Sequence, residues 1–300
     1  MSDVVWVTGA SGFTGQHQIA FLRQLRPSLR IVGLDVKEAQ LSNVDAHHRL
    51  DLNDSAAVAA LATAEPPKWV IHLAGLMPPA SEPDMWRANV GGTVGLLVGL
   101  GAADCRRTRV VCVGSAAEYA RNARSPISEV ARCGGASAYG NSKLAQSLTC
   151  LQFGRDTGLS VLVARPFNLI GPGLSRNLVV GSLVRQFSSA APDIQVGNRH
   201  TARDFIDVRD AVRAYWLLAL HGQIGAIYNV SSQTSVPIDD LLVMLSRITG
   251  HAPRIEADET RIRSDDLPVV VGDSAKLRSE TVWQPEVELE QSLRDMLATV

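Results

Sequence analysis

Lysine is scarce in this chain, with four residues against 25 arginines, and the acids bring the net charge to −1. The arginine preference carries no functional reading. A near-neutral chain presents no global basic field for nucleic acid or an anionic membrane. Cysteine is scarce too: Cys105, Cys112, Cys133 and Cys150 form no C-x-x-C pair and no disulfide-dense pattern, which fits a reducing cytosol. No apolar run approaches the ~18 residues of a membrane span. The seven His include no H-E-x-x-H spacing, so no metal site is expected, and His47-His48 reads most simply as a surface pair. The N-terminus enters a strand almost at once, with no basic segment ahead of an apolar one. No signal peptide is expected, and a cytoplasmic location follows. Neither a linker nor an internal repeat is visible. The 300 residues, 46% hydrophobic and 20% charged, suffice for one large domain or two moderate ones.

What is present begins with Val4-Val5-Trp6-Val7, an apolar run that reads as a buried strand. It feeds into Thr8-Gly9-Ala10-Ser11-Gly12-Phe13-Thr14-Gly15 and then an amphipathic segment with Ile19, Leu22 and Leu25 on one face. Strand, glycine-rich turn and helix are the context of a dinucleotide-binding loop. Backbone must approach a pyrophosphate closely, and the helix N-terminus offers it free N–H groups. The spacing here is G-x-x-G-x-x-G. A second strand, Ile31-Val32-Gly33-Leu34, ends at Asp35, whose carboxylate suits ribose hydroxyls and repels a 2′-phosphate. NAD(H) is therefore favoured, with NADP(H) possible because Lys37 stands nearby; a solvated loop acid is the plainer alternative for Asp35.

Asp51-Leu52-Asn53-Asp54 precedes an Ala-rich helix with Asn53 or Asp54 as its cap. Trp69-Val70-Ile71-His72-Leu73 is the next strand, with His72 a packed core residue, and 77–84 is a Pro-rich loop at its end. A helix from about Met85 to Ala103 carries Asn89. Val110-Val111-Cys112-Val113 leads to Gly114-Ser115, where the hydroxyl could serve a substrate oxygen or merely a turn. Tyr139 and Lys143 stand at i and i+4 of a helix, so phenol and ammonium share a face. A nearby cation lowers a phenol from about 10, making Tyr139 a proton donor or acceptor near neutrality. Alone the pair is suggestive; its weight comes from what lies upstream. Val161-Leu162-Val163-Ala164 is a further strand before Arg165-Pro166. Alternating strands and helices predict an α/β fold with a doubly wound parallel sheet.

Taken together, TGASGFTG (8–15), HLAG (72–75), Asn89, GSAAEYA (114–120) and YGNSK (139–143) resemble the extended short-chain dehydrogenase/reductase family, over the entire chain. The resemblance implies a Rossmann fold with catalytic Ser115, Tyr139 and Lys143, and Asn89 supporting a proton relay. It places the cofactor against Gly9, Ser11, Gly12, Phe13, Thr14, Gly15, Asp35, Asp51, Leu52, Leu73, Ala74, Gly75, Tyr139, Lys143 and Pro166. RPFNLIGPG (165–173), the 196–210 stretch ending ARDFIDVRD, YNVSS (228–232) and 262–268 look like nucleotide-sugar-modifying members, most like the bacterial GDP-4-keto-6-deoxy-D-mannose reductase branch. By that likeness Asn168 and Arg203 contact the diphosphate and Arg263 the far side of the nucleotide, alongside Ser115 at the sugar. For Arg203, beside Asp204 and Asp207, a surface ion pair is the competing reading. Related dehydratases carry an acid pair directly after the catalytic Ser or Thr. Here those positions are Ala116 and Ala117, with Glu118 one residue too late, so dehydration is rejected.

Past Pro166 the order changes. Residues 167–202 read as loop-rich, with a helix from about Asp210 to His221 packing back on the sheet and Tyr228-Asn229-Val230 as a further strand. Ile238 to Thr249 is a helix stopped by Gly250. The expected division is a dinucleotide-binding domain, 1–166 plus about 204–231, and a smaller discontinuous sugar-binding domain, about 167–203 plus 232–300. The expected activity is an NAD(P)-dependent reduction of the C4 ketone of a GDP-4-keto-6-deoxy-hexose. A nucleotide-sugar 4-epimerase is the alternative, and a non-catalytic dinucleotide sensor fits less well, since it has no need of a proton relay. The resemblance also implies a homodimer joined through the Asn89 and Tyr139 helices.

Overall fold

The computed structural model describes residues 3–261 and 267–300. Its first half runs β1 (Val4–Thr8), α1 (Phe13–Leu25), β2 (Arg30–Asp35), β3 (Ala46–Arg49), α2 (Ser55–Ala64) and β4 (Trp69–His72). Then come α3 (Glu82–Trp86), a π-helical turn at Arg87–Gly91, α4 (Gly92–Ala102), β5 (Arg109–Val113), α5 (Ala138–Thr157) and β6 (Ser160–Pro166). The second half holds β7 (Asn168–Ile170), α6 (Val179–Ser188), β8 (Asp193–Val196), β9 (Ala202–Arg203), β10 (Phe205–Asp207), α7 (Val208–His221) and β11 (Ile227–Val230). It closes with β12 (Val236–Pro237), α8 (Ile238–Thr249), β13 (Arg254–Ala257), β14 (Val269–Val270), α9 (Ala275–Glu280) and α10 (Leu289–Leu297).

Seven strands pair in parallel in the order β11-β6-β5-β4-β1-β2-β3. The chain starts in the middle and winds outward in both directions, as the alternation predicted. Both faces are covered, and the period of two along each strand shows how. Val5 and Val7 of β1 point into a core with Ile19 and Leu22 of α1 and Val212 and Tyr215 of α7. Trp6 between them points the other way, into a core with Val58 of α2, Leu96 of α4 and Cys150 of α5. Strands buried on both sides must be apolar throughout, which is why these segments read as continuous hydrophobic runs.

A third core lies off the main sheet and joins Leu183 and Phe187 of α6, Ile194 of β8, Leu241 and Leu245 of α8, and Leu293 and Met296 of α10. Leu277 and Trp283, although late in the chain, pack into the first core instead. The loop-rich reading of 167–202 is corrected here, because the segment holds β7, α6 and β8. Val180, Leu183, Val184 and Phe187 form an apolar helical stripe. The helix carrying Asn89 also starts earlier than Met85: Ser81 caps α3, accepting from the Asp84 N–H, and the chain runs on through the π turn into α4. His47 and His48 are only partly at the surface. They sit half-buried in edge strand β3, where side-chain-free Gly33 of β2 lies against the His47 ring.

Candidate active site

The C-terminal ends of β1, β4 and β5 meet in one crevice. β1 turns at Gly9, whose φ of +66° is a left-handed conformation, and a Cβ there would press on the Ala74 backbone. At Gly15 a Cβ would collide with the Gly9 carbonyl oxygen, so the loop closes tightly into the start of α1. Gly12 is the N-cap of that helix and carries no side-chain cap, so the first-turn N–H groups are available to an anion. Asp35, at the end of β2, reaches this loop. Its Oδ2 accepts from Ser11 N–H at 3.0 Å and Ser11 Oγ–H at 2.7 Å, and its Oδ1 accepts from Lys37 N–H at 3.0 Å. It is therefore no freely solvated loop acid. Asp51 accepts from the side chain and backbone of Asn53 and from Arg87, which hold its carboxyl below the usual range. Leu52 is buried beneath α4.

A directed hydrogen-bond chain runs under the crevice. Thr8 Oγ1 accepts from the N–H groups of Leu73 and Ala74, so its proton goes to His72 Nδ1 at 2.8 Å. His72 Nε2–H then donates to Thr93 Oγ1 at 2.8 Å, and Thr93 donates to the Asn89 carbonyl at 2.7 Å. Burial pushes His72 down to about 3, so the imidazole is neutral and its tautomer is fixed by these partners. As expected, it is a packed core His. The side chain of Asn89 is buried. Its Oδ1 accepts from Leu76 N–H, and its Nδ2 donates to the Leu76 carbonyl and to Ser142 Oγ. Ser142 in turn donates to the Tyr139 carbonyl at 2.8 Å, so the π turn and the start of α5 are fastened together.

α5 begins at a Ser137 cap, and its first turn carries Tyr139. Gly140 lets that turn lie against the Ala117 carbonyl, where a Cβ would collide. Lys143 is buried, and its Nζ donates to the Val113 carbonyl at 2.6 Å, close to Gly75. The expected lowering of the Tyr139 phenol is corrected. Burial of the partly exposed ring pushes it up, a hydrogen bond with Ser115 opposes this, and the charge of Glu118 adds to it. Burial likewise pushes Lys143 down. Ser115 caps a short 3₁₀ turn, Ala116–Glu118, its Oγ accepting from Ala117 N–H at 3.1 Å. Ser115, Tyr139, Lys143 and Asn89 thus come together at one crevice, beside the glycine loop and Gly75.

The substrate candidates lie on a different element. β7 pairs with β10, and Asn168 Nδ2 donates to the Asp204 carbonyl at 2.9 Å. Arg203 Nη1 donates to the carbonyls of Ala202 and Leu267. The neighbouring acids are engaged elsewhere: Asp204 accepts from Ser232, Gln233 and Gly272, and Asp207 from Arg209 and Ser292. Pro166 ends β6 beside Val230. Arg263 lies outside the described residues. Sequence reasoning did not single out Glu118, Arg165 and Ser147, a buried polar group behind Ser115; the acid inside GSAAEYA was its only visible trace. Among the described residues no group of three or more His, Cys, Asp or Glu could hold a metal ion.

Residues 5–231 match the NAD dependent epimerase/dehydratase family. The chain is 35% identical to GDP-6-deoxy-D-mannose reductase of Pseudomonas aeruginosa, with 99% of this chain and 97% of that protein covered. It is 26% identical to GDP-6-deoxy-D-talose 4-dehydrogenase of Aggregatibacter actinomycetemcomitans, covering 91% and 89%. Its fold superposes on the structure of RMD from Pseudomonas aeruginosa complexed with NADPH at a TM-score of 0.86 and 33% identity, with 99% of each chain covered. On the family match and on identity over nearly full length, the chain belongs to the NAD dependent epimerase/dehydratase family.

Proposed function

We propose that this protein is an NAD(P)-dependent oxidoreductase that reduces the C4 ketone of a GDP-4-keto-6-deoxy-hexose, giving a GDP-rhamnose type product. The observation that carries the reading is the meeting of Ser115, Tyr139 and Lys143 beside the glycine loop, in a chain so similar to a GDP-deoxysugar reductase. The residues present suit a nicotinamide dinucleotide. Gly9, Gly12 and Gly15 bring bare backbone and a helix N-terminus to a pyrophosphate, and Asp35 stands where a ribose would lie. Asp51, Leu52, Leu73 and Ala74 line the adenine side of the same crevice, and Gly75 and Pro166 the nicotinamide side.

Bound there in reduced form, the nicotinamide supplies a hydride to C4. Tyr139 donates a proton to the ketone oxygen as charge develops on it, so hydride plus proton convert the carbonyl to an alcohol. Ser115 donates a hydrogen bond to the same oxygen. Lys143 holds positive charge beside Tyr139 and the ribose, and Asn89 orders the route by which the proton is replaced. The phenol that burial keeps protonated is in the state a reductase needs at the start of its cycle. The 167–203 and 232–300 segments form the nucleotide-sugar side, with Asn168 and Arg203 on the diphosphate. Arg suits that task because its planar fork offers several donors to phosphate.

The half-exposed apolar side chains of Val94 and Val98 on α4 and Leu148 on α5 support a homodimer joined through those helices. No helix among the described residues is long and apolar enough to cross a membrane, and we place the enzyme in the cytoplasm. The test is consumption of NADH or NADPH by the purified protein with GDP-4-keto-6-deoxy-mannose. Stoichiometric oxidation supports the reading, and no oxidation with either cofactor contradicts it.

A further inference from the structure

Glu118 takes no part in the proton transfer above, yet it is fully buried beside it. Its Oε1 accepts from Ser115 N–H at 2.8 Å and from the Ser147 hydroxyl at 2.9 Å. Its Oε2 accepts from Arg165 Nε at 2.7 Å. Burial pushes its carboxyl up, and the Arg165 guanidinium, the Ser115 N–H and the Ser147 hydroxyl oppose this; the ion pair with Arg165 holds it as the carboxylate. The Arg165 guanidinium also lies over the Tyr119 ring, 4.9 Å from its centre, and the Tyr119 hydroxyl donates to Asn229 Oδ1 at 2.7 Å. One polar chain therefore ties the ends of β5, β6 and β11, and its head is the backbone N–H of Ser115. Gly114 makes room for it, because a Cβ there would collide with Glu118 Oε1.

A buried ion pair is a poor way to fill space, since apolar residues of the same volume often stabilise a fold as well or better. This one accepts the backbone N–H of Ser115, at the crevice and not in a distant part of the core. We infer that Glu118, held by Arg165, is a positioning residue that fixes Ser115 against Tyr139 and the reacting oxygen. The inference rests on Tyr139 being the proton donor proposed above.

The charged and titratable groups around Tyr139 come from every side of the crevice. Lys143 follows it on α5, Glu118 lies on the turn after β5, and Tyr215 approaches from α7. Arg165 of β6 faces Glu118, while neutral His72 of β4 and Cys112 of β5 face Lys143. Within this set Glu118 is the anion. Its charge disfavours a phenolate at Tyr139 and favours the ammonium at Lys143, which burial otherwise pushes down. Removing the charge lets Tyr139 lose its proton at lower pH. Because reduction needs that proton, the alkaline limb of the pH–rate profile moves down with it.

The experiment compares the parent with Glu118→Gln and with Glu118→Gln/Arg165→Gln, in which no buried charge is left unpaired. Each is followed by the pH profile of kcat/KM and by phenolate absorbance of the NAD-loaded protein, with Tyr139→Phe as the blank. We expect the alkaline limb and the phenolate titration both to move from the parent's, to lower pH where loss of the Glu118 charge dominates and to higher pH where loss of the Ser115 hydrogen bond does, and kcat to fall about tenfold or more with KM little changed. The absorbance titration needs no sugar substrate, so it reads Glu118 even if the proposed reaction is wrong. Titrations that superimpose on the parent in both variants overturn the inference and leave the pair a structural one. So does a loss of activity that only follows the loss of folded protein.

Discussion

Asp35 Oδ2 accepts both the backbone N–H and the hydroxyl of Ser11, at 3.0 and 2.7 Å, so the acid that ends β2 is wired into the loop that ends β1. This places fixed negative charge where a ribose would meet the loop, and it argues for NADH over NADPH. Lys37, whose N–H donates to the other oxygen of Asp35, is the counterweight. Asp35→Ser should lower the NADH to NADPH ratio of kcat/KM by about tenfold or more, by removing repulsion of a 2′-phosphate. An unchanged ratio in steady-state assays contradicts this role.

Tyr139→Phe keeps the ring and removes the proton. Turnover should fall by about 10²–10⁴-fold, the usual worth of a general acid, while NAD(H) binding measured by fluorescence stays near the parent value. Turnover close to the parent would take Tyr139 out of the mechanism.

Two glycines make a paired test of the close packing. At Gly15 a Cβ collides with the Gly9 carbonyl, so Gly15→Ala should abolish or strongly weaken dinucleotide binding. At Gly101, in α4, a Cβ meets nothing within 4 Å. Gly101→Ala should therefore stabilise the fold by about 0.5–1 kcal/mol, through helix propensity alone. Denaturant titration of both variants separates the two effects.

His72 sets an acid limit on stability. Its folded-state value is depressed to about 3, so below the unfolded value of about 6.5 the unfolded chain binds a proton that the folded chain does not. Stability from this group is complete above that range and is lost as pH falls toward 3, by up to about 1.4 kcal/mol per pH unit. Ring-carbon NMR should show His72 neutral down to about pH 5; titration of its signal near neutrality contradicts the buried network.

The sheet was legible in the sequence because strands buried on both faces must be apolar throughout, and glycine punctuates where β1 turns into α1. Thr8–Gly15, Ser115 and the Tyr139/Lys143 pair could be named for the same local reasons. Relationships set by packing between distant segments could not. The helix at Val179–Ser188 carried an apolar stripe, but it lacks a side-chain cap and follows a Gly- and Pro-rich stretch, so its start was hidden. Nor could spacing show that Lys143 is turned to the Val113 carbonyl, or that burial pushes the Tyr139 phenol up. Glu118 was read only as an acid in the wrong place for dehydration. Its partners Arg165 and Ser147 come from β6 and α5, and only the fold brings them to it.

The most direct test of the account is the absorbance of reduced nicotinamide, followed with purified enzyme, NADH or NADPH and GDP-4-keto-6-deoxy-mannose. The account predicts loss of reduced cofactor in stoichiometry with a GDP-6-deoxy-hexose product, faster with NADH. An unchanged signal, with NAD retained through purification and a stable nucleotide sugar epimerised at C4, would contradict it and identify a 4-epimerase instead.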